Sequence, residues 1–266
     1  MTGAWRVFEL SLGEMLWSRR TIFMALVVSA PVLLAIVARA VQLIGMPILR
    51  VEGVRIAGTD LFGTMIWGPY LRFIVPVLGV FYGTALVADE VEDRTITYLF
   101  TRPIRRGAVL VGKYIAYLVC TTLVVLPSVM IVYFLIVPIG EIPGSFSSLV
   151  IDLGLMALGL AVYGAVFGCI GAVMKHPLIS GLVFVIGWEP LAQLMPGSLR
   201  WLTVAQYLHW LMPHAMPSDG VMSLLRPVLG RPPAASISLL SLAVILGVAL
   251  VLAVYTIERR EYVLEQ

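Results

Sequence analysis

The feature that most constrains this chain is a series of apolar blocks, each long enough to cross a hydrocarbon core of about 30 Å at about 1.5 Å per residue. The blocks run roughly from Thr21 to Ile44, Trp67 to Ala88, Tyr114 to Val137, Leu149 to Met174, Leu178 to Met195 and Ile237 to Ile257. Only 12% of the 266 residues are charged and 60% are hydrophobic, where an ordinary soluble domain has roughly 25% charged residues. A soluble fold of this size cannot hide so much apolar surface, because surface falls too slowly relative to volume. A bilayer can. The alternating ten-residue segments of an outer-membrane barrel are absent. The sequence therefore predicts an all-α integral membrane protein with six transmembrane helices, residues 1–266 forming one transmembrane domain.

Residues 4–20 read as an amphipathic helix lying at the membrane interface. Trp5, Phe8, Leu12 and Met15 recur at helical spacing, while Arg6, Glu9, Glu14, Arg19 and Arg20 occupy other faces. Ala38-Arg39-Ala40 has the form of a signal-peptide cleavage site. The run from Ile22 to Val37 is longer than a usual signal core and follows a charged amphipathic stretch, so the first span is expected to be retained. Basic residues set the orientation. One side collects Arg6, Arg19, Arg20, Arg94, Arg102, Arg105, Arg106, Lys113, Lys175, Arg259 and Arg260, against Arg50, Arg55, Arg200, Arg226 and Arg231 on the other. Both termini are thus expected in the cytoplasm, as an even number of spans requires. A net charge of +3 gives no reason to expect nucleic acid as a partner. Cys120 and Cys169 fall inside apolar blocks with no metal-ligand spacing around them, so they read as small hydrophobes and no metal is expected.

The most charged stretch, residues 89–113, joins the second and third spans. Asp89, Glu90, Glu92 and Asp93 stand where a helix N-terminus favours negative charge. Ile96, Leu99 and Phe100 make a small apolar face, Pro103 ends the helix, and Arg105 and Arg106 meet the membrane before Val109 and Leu110 begin the next helix. A short helix of this kind suits a partner's groove. A solvated loop whose charges only set topology is the other reading of the same residues.

The run Glu92-Asp-Arg-Thr-Ile-Thr-Tyr-Leu-Phe-Thr-Arg-Pro-Ile-Arg-Arg106, followed by Val-Gly-Lys113, resembles the cytoplasmic segment of ABC type-2 transporter permeases. An acidic residue, a Thr, leucines, an Arg-Pro and a Gly-Lys follow the second span in that order in those proteins, although Arg94 stands where many members carry Gly. The likeness extends to the interfacial helix, the six spans and a longer outer segment, residues 196–233. It implies a permease subunit of an ATP-driven exporter, working as a homodimer or heterodimer with another permease. Its partners would be ABC-type ATPase subunits that hold the ATP and Mg2+, and it would move a hydrophobic or amphipathic substrate across a bacterial or archaeal cytoplasmic (inner) membrane. It further implies that residues 89–113 hold the coupling helix, with Glu90, Glu92, Arg94, Thr95, Leu99, Arg102, Pro103, Arg105 and Arg106 as the ATPase-coupling residues.

Two other resemblances fail on their chemistry. Gly107-Ala-Val-Leu-Val-Gly112-Lys113 matches most of a phosphate-binding loop, but Tyr114 stands where Ser or Thr must bind magnesium and no strand precedes it. The chain is therefore not expected to be an enzyme with its own nucleotide site or catalytic residues. Asp89-Glu90 with Arg94 is similar to the acidic pair and Arg of intramembrane proteases of the CAAX type. Those enzymes need histidines on neighbouring spans, and of the three present His176 is predicted on the cytoplasmic side and His209 and His214 outside. An intramembrane enzyme and a non-transporting anchor or sensor for an ATPase are the alternatives.

Glu189 is the acid singled out at membrane depth. It either lines a substrate route or, if the fifth span ends at Trp188, sits at the outer interface. Arg39 and Arg72 are placed near the outer ends of their spans, where they can snorkel. Gly154, Gly159, Gly164, Gly168 and Gly171 make one side of the fourth span small, as Gly79 and Gly83 do for the second, and both suggest close packing within the chain. Pro31, Pro76 and Pro127 interrupt backbone hydrogen bonding within spans. Leu199 to Leu211, with Trp201, Tyr207 and Trp210, reads as a short helix lying on or dipping into the outer leaflet.

Overall fold

The structure, a computed structural model, describes residues 3–16, 19–44, 49–51, 54–56, 58–87, 106–194, 201, 203–214 and 233–259; for residues 3–7, 16, 19–20, 49–51, 54–56, 106 and 193–194 it describes the backbone alone. The architecture is all-α, with five helices long and apolar enough to cross a membrane and a sixth, shorter one. Helix α1 (Gly3–Leu16) precedes α2 (Arg19–Leu43). A hairpin of two three-residue strands, β1 (Leu49–Val51) and β2 (Val54–Ile56), pairs antiparallel with Arg50 opposite Arg55. The second span, α3, is Thr59–Val87. Then come α4 (Arg106–Ile136), α5 (Ile142–Val173), α6 (residues 177–194), the short α7 (Val204–Leu211) and α8 (Ala235–Arg259).

Three spans begin earlier than the apolar blocks suggest. Helix α3 starts eight residues before Trp67, α4 eight before Tyr114, and α5 seven before Leu149. Helicity continues through Asp60 and Lys113 because backbone hydrogen bonds do not depend on side-chain polarity. Gly58 makes the entry to α3 possible. Its φ of +59° is the left-handed conformation that favours glycine, and a Cβ there would lie 2.5 Å from Oε2 of Glu141. That contact also places the hairpin end of α3 beside the turn that opens α5. We call this the hairpin face.

The spans are not uniform helices. Residues Ile66–Ile74 and Gly79–Gly83 of α3, and Phe184–Trp188 of α6, are π-helical. The N–H of Val75 bonds to the carbonyl of Tyr70, five residues back. Pro69 and Pro76 lack the N–H that a regular ladder needs, and a wider turn absorbs the defect. Pro31 and Pro127 sit within α2 and α4, which remain α-helical.

Helix α5 is the hub of the bundle, packing against α3, α4, α6, α7 and α8. Its glycines face α3. A Cβ on Gly171 would lie 2.7 Å from the carbonyl oxygen of Thr84, and a Cβ on Gly83 would lie 3.1 Å from that of Gly164. At Gly83 and Gly164 the backbones come close because neither residue carries a side chain, and at Gly171 the bare Cα admits the backbone of Thr84. Gly154, by contrast, faces open space. Buried tyrosines complete the tie: Tyr70 Oη lies 3.0 Å from Ser128 Oγ, and Tyr114 and Tyr117 donate to the carbonyls of Ala161 and Leu160 at 2.7 and 2.9 Å. Tyr133 Oη lies 2.7 Å from Ser145 Oγ. Each phenol so placed satisfies a hydroxyl that would be costly to bury alone.

Candidate functional site

The connection between α3 and α4 is where the sequence places the coupling helix. Glu90, Glu92, Arg94, Thr95, Leu99, Arg102, Pro103 and Arg105 lie outside the described residues, and Arg106 is described only as the first residue of α4. The roots of the segment are described. Leu86 and Val87 are buried at the end of α3. At the start of α4, a Cβ on Gly107 would lie 2.8 Å from Cγ1 of Val254 and 3.1 Å from Oε1 of Glu258, both near the end of α8. Residues 107–113 are helical, not a phosphate-binding loop. The start of α4 and the end of α8 therefore share the face opposite the hairpin. Helix α1 packs against α4, with Leu12 and Met15 turned to the core and Ser11 buried.

The second feature lies at membrane depth. Helix α6 continues through Glu189 to residue 194, so the span does not end at Trp188. Glu189 is 4% exposed, packed inside the bundle. Tyr163 Oη donates to its Oε1 at 2.5 Å, and the N–H of Ala205, in the first turn of α7, donates a further bond. A helix N-terminus has unsatisfied N–H groups and a positive dipole end, and a carboxylate answers both. The charge of Arg72 also acts on this carboxylate.

Arg72 is not near the end of its span. It stands thirteen residues after Thr59 and fifteen before Val87, and its side chain is exposed on the bundle surface. Register across the bundle agrees, because Leu71 and Val75 meet Gly159, which lies twenty residues after Ile139 and fourteen before Val173 in the fourth span. Arg39, by contrast, stands four residues before Leu43 at the end of α2. A charge at the helix centre costs about 2.5–3.5 kcal/mol on insertion scales, so such groups face cavities, water or partners.

The third feature is a pair that sequence reasoning did not find. Nε2 of His214 lies 2.7 Å from Oδ2 of Asp152, whose side chain is fully buried in α5. The other oxygen, Oδ1, has no hydrogen-bond partner among the described residues. The imidazole also meets Phe62 edge-on at 5.7 Å, and a Cβ on Gly63 would strike it at 2.7 Å. An isolated Asp inside an apolar helix was the available signal. Its partner, 62 residues away, was not predictable from spacing.

Between these two acids runs α7. It does not lie flat on the membrane. Leu208 meets Gly159 near the middle of α5, while Val204, Ala205 and Tyr207 are buried. From Ala205 near Tyr163 to His214 near Asp152 it climbs along α5 toward the hairpin face. Trp201 remains exposed and packs on Trp210 at 5.6 Å, and Trp67 stacks on His209 at 4.4 Å. The apolar part of α6, Pro177–Ala192, is 16 residues long. At about 1.5 Å per residue it falls short of a full bilayer. Among the described residues no group of three His, Cys, Asp or Glu could hold a metal ion.

Comparison with known proteins agrees with this architecture. No curated protein matches the chain. One family model does, described as ABC-2 family transporter protein, and it covers residues 19–261, which include all six apolar helices. A multi-pass helical bundle matched over that length is a membrane permease component of an ABC transporter, a kind of subunit that normally works with a separate ABC ATPase. The chain belongs to the ABC-2 family of transporter proteins.

Proposed function

We propose that the chain is the permease half of an ATP-driven exporter that moves a hydrophobic or amphipathic molecule. What supports this reading most is the family match over residues 19–261 on a bundle whose charged connection, residues 88–105, springs from two packed helix ends. The face bearing Lys175 and the start of α4 is the cytoplasmic one, by its excess of basic residues. There ABC-type ATPase subunits, carrying ATP and Mg2+, grip Glu90, Glu92, Arg94, Thr95, Leu99 and Arg102. Their closure pushes the root at Gly107 against α8 and shifts α4 relative to α5. Two permease chains, alike or different, enclose the path in a bacterial or archaeal cytoplasmic membrane, and Glu189 borders it.

The test is transport by the chain reconstituted with its ATPase. Charge reversal at Glu92 and Arg102 together (E92K/R102E) should leave the permease in the membrane while transport and substrate-stimulated ATP hydrolysis fall at least severalfold. Unchanged coupling and unchanged ATPase co-purification would overturn the coupling role. ATPase binding with no substrate-dependent turnover in the unaltered complex would favour a membrane anchor or sensor instead.

A further inference from the structure

We infer that Arg72 is a headgroup anchor: a site at mid-membrane depth that binds the phosphate or carboxylate of an anionic amphiphile. The inference deepens the transporter reading and rests on it. Three observations carry it. Arg72 is an exposed residue half-way along a 29-residue apolar span, where contact of its charge with lipid tails alone is unfavourable. Arg72 forms no ion pair among the described residues, and the acid that acts on it, Glu189, is buried with its carboxylate already bonded by Tyr163 and Ala205. Its planar fork of five donors is therefore available and matched to a phosphate or carboxylate.

The surroundings have the other half of the required chemistry. Phe73, the next residue, is 58% exposed and apolar. Gly68 stands four positions earlier on the same π-helical stretch, close to one turn away, and a Cβ there would meet nothing within 4 Å. A cation, an open notch and an exposed ring on one helix surface suit a charged head with an apolar tail. Glu189 behind the cation keeps the site from being uniformly positive. A bound anion can then leave again, as a transport site requires.

The experiment uses the full-length chain in phosphatidylcholine nanodiscs, with dodecyl phosphate, inorganic phosphate and uncharged dodecyl maltoside as probes. Binding is read from the rise in unfolding temperature with probe concentration. Dodecyl phosphate should bind saturably, Arg72→Gln should weaken it roughly tenfold or more, the loss expected for charge-assisted hydrogen bonds, and Arg72→Lys, which keeps the charge without the planar fork, should restore only part of it. Arg39→Gln, at the span end, should change nothing. Equal binding of inorganic phosphate would identify a free anion as the natural occupant, and dependence on the dodecyl tail an amphiphile. Equal affinity of wild type and Arg72→Gln overturns the proposal. So does a disulfide between two copies of Arg72→Cys, which would make this surface a seam between permeases. Failure of these arms in a chain that still captures its ATPase would leave the permease reading intact.

Discussion

Two halves of α5 are held by opposite means. Toward the basic face, Gly164, Gly168 and Gly171 let the backbone of α3 come into contact. Toward the hairpin face, Asp152 and Tyr163 reach out to His214 and Glu189 on elements that follow in the chain. The first arrangement depends on shape, and close-packed backbone leaves α3 and α5 little choice but to move together. The second depends on a few polar pairs. The difference suggests where the bundle deforms most easily: α3 and α5 are locked together by shape, while α6 is tied to α5 through the polar pair of Tyr163 and Glu189.

The largest test of this contrast is His214→Ala. It strands a fully buried carboxyl group that has no other described partner, a loss of about 3 kcal/mol, the upper end of the cost of a buried polar group left unpaired. Thermal unfolding in detergent should show it, with His214→Gln recovering part of the loss by restoring a donor. Stability equal to wild type would mean that the hairpin-face half is not held by this pair. Next in size is Gly171→Leu. Its Cβ would meet the Thr84 carbonyl at 2.7 Å, and backbone cannot give way as a side-chain tip can. Overpacking of this kind costs about 1–3 kcal/mol or more. Gly154→Ala, facing open space on the same helix, should stay within about 0.5 kcal/mol of wild type. If both glycines respond alike, the seam is not the tight half.

Tyr163→Phe should cost less, about 1 kcal/mol, because Ala205 still bonds the carboxylate after the phenol is lost. The same change should make α6 easier to displace from α5, seen as faster amide exchange over residues 184–194 while the α3–α5 seam stays protected. Equal acceleration in both regions would erase the distinction between them.

Much of this bundle is legible in the sequence, because a membrane imposes length and apolarity on every span. All six spans, the packing role of the α3 and α5 glycines and the helix at residues 204–211 follow from periodicity and composition. The starts of α3, α4 and α5 did not. Trp67 and the residues around Lys113 and Glu141 have the chemistry of a membrane interface, yet helical hydrogen bonding extends beyond them. That error carried a functional cost, since it placed Arg72 at a span end instead of its middle. Asp152 was visible as a lone acid in an apolar block, while the sequence left α7 between lying on the outer leaflet and dipping into it. Its aromatics suit an interface, and only the non-local fit of Leu208 on Gly159 shows that it is buried. The coupling residues Glu90 to Arg105 are legible through family resemblance and local charge, and their geometry falls outside the described residues.

The smallest effect expected is at Tyr70, and it tests whether α4 is tied to the tight pair of α3 and α5. Its hydroxyl meets Ser128, which also donates to the carbonyl of Val125 at 2.7 Å just before Pro127. Tyr70→Phe leaves that second bond in place and the ring still packed, so the loss should be near the average of about 0.6 kcal/mol for hydrogen bonds between membrane helices. Ser128→Ala should cost a similar amount, and the double variant should cost less than the two together, because either single change already removes the shared bond. Strict additivity would mean that the two hydroxyls do not meet. The tie between α3 and α4 would then rest on apolar packing alone, as a body defined by shape would allow.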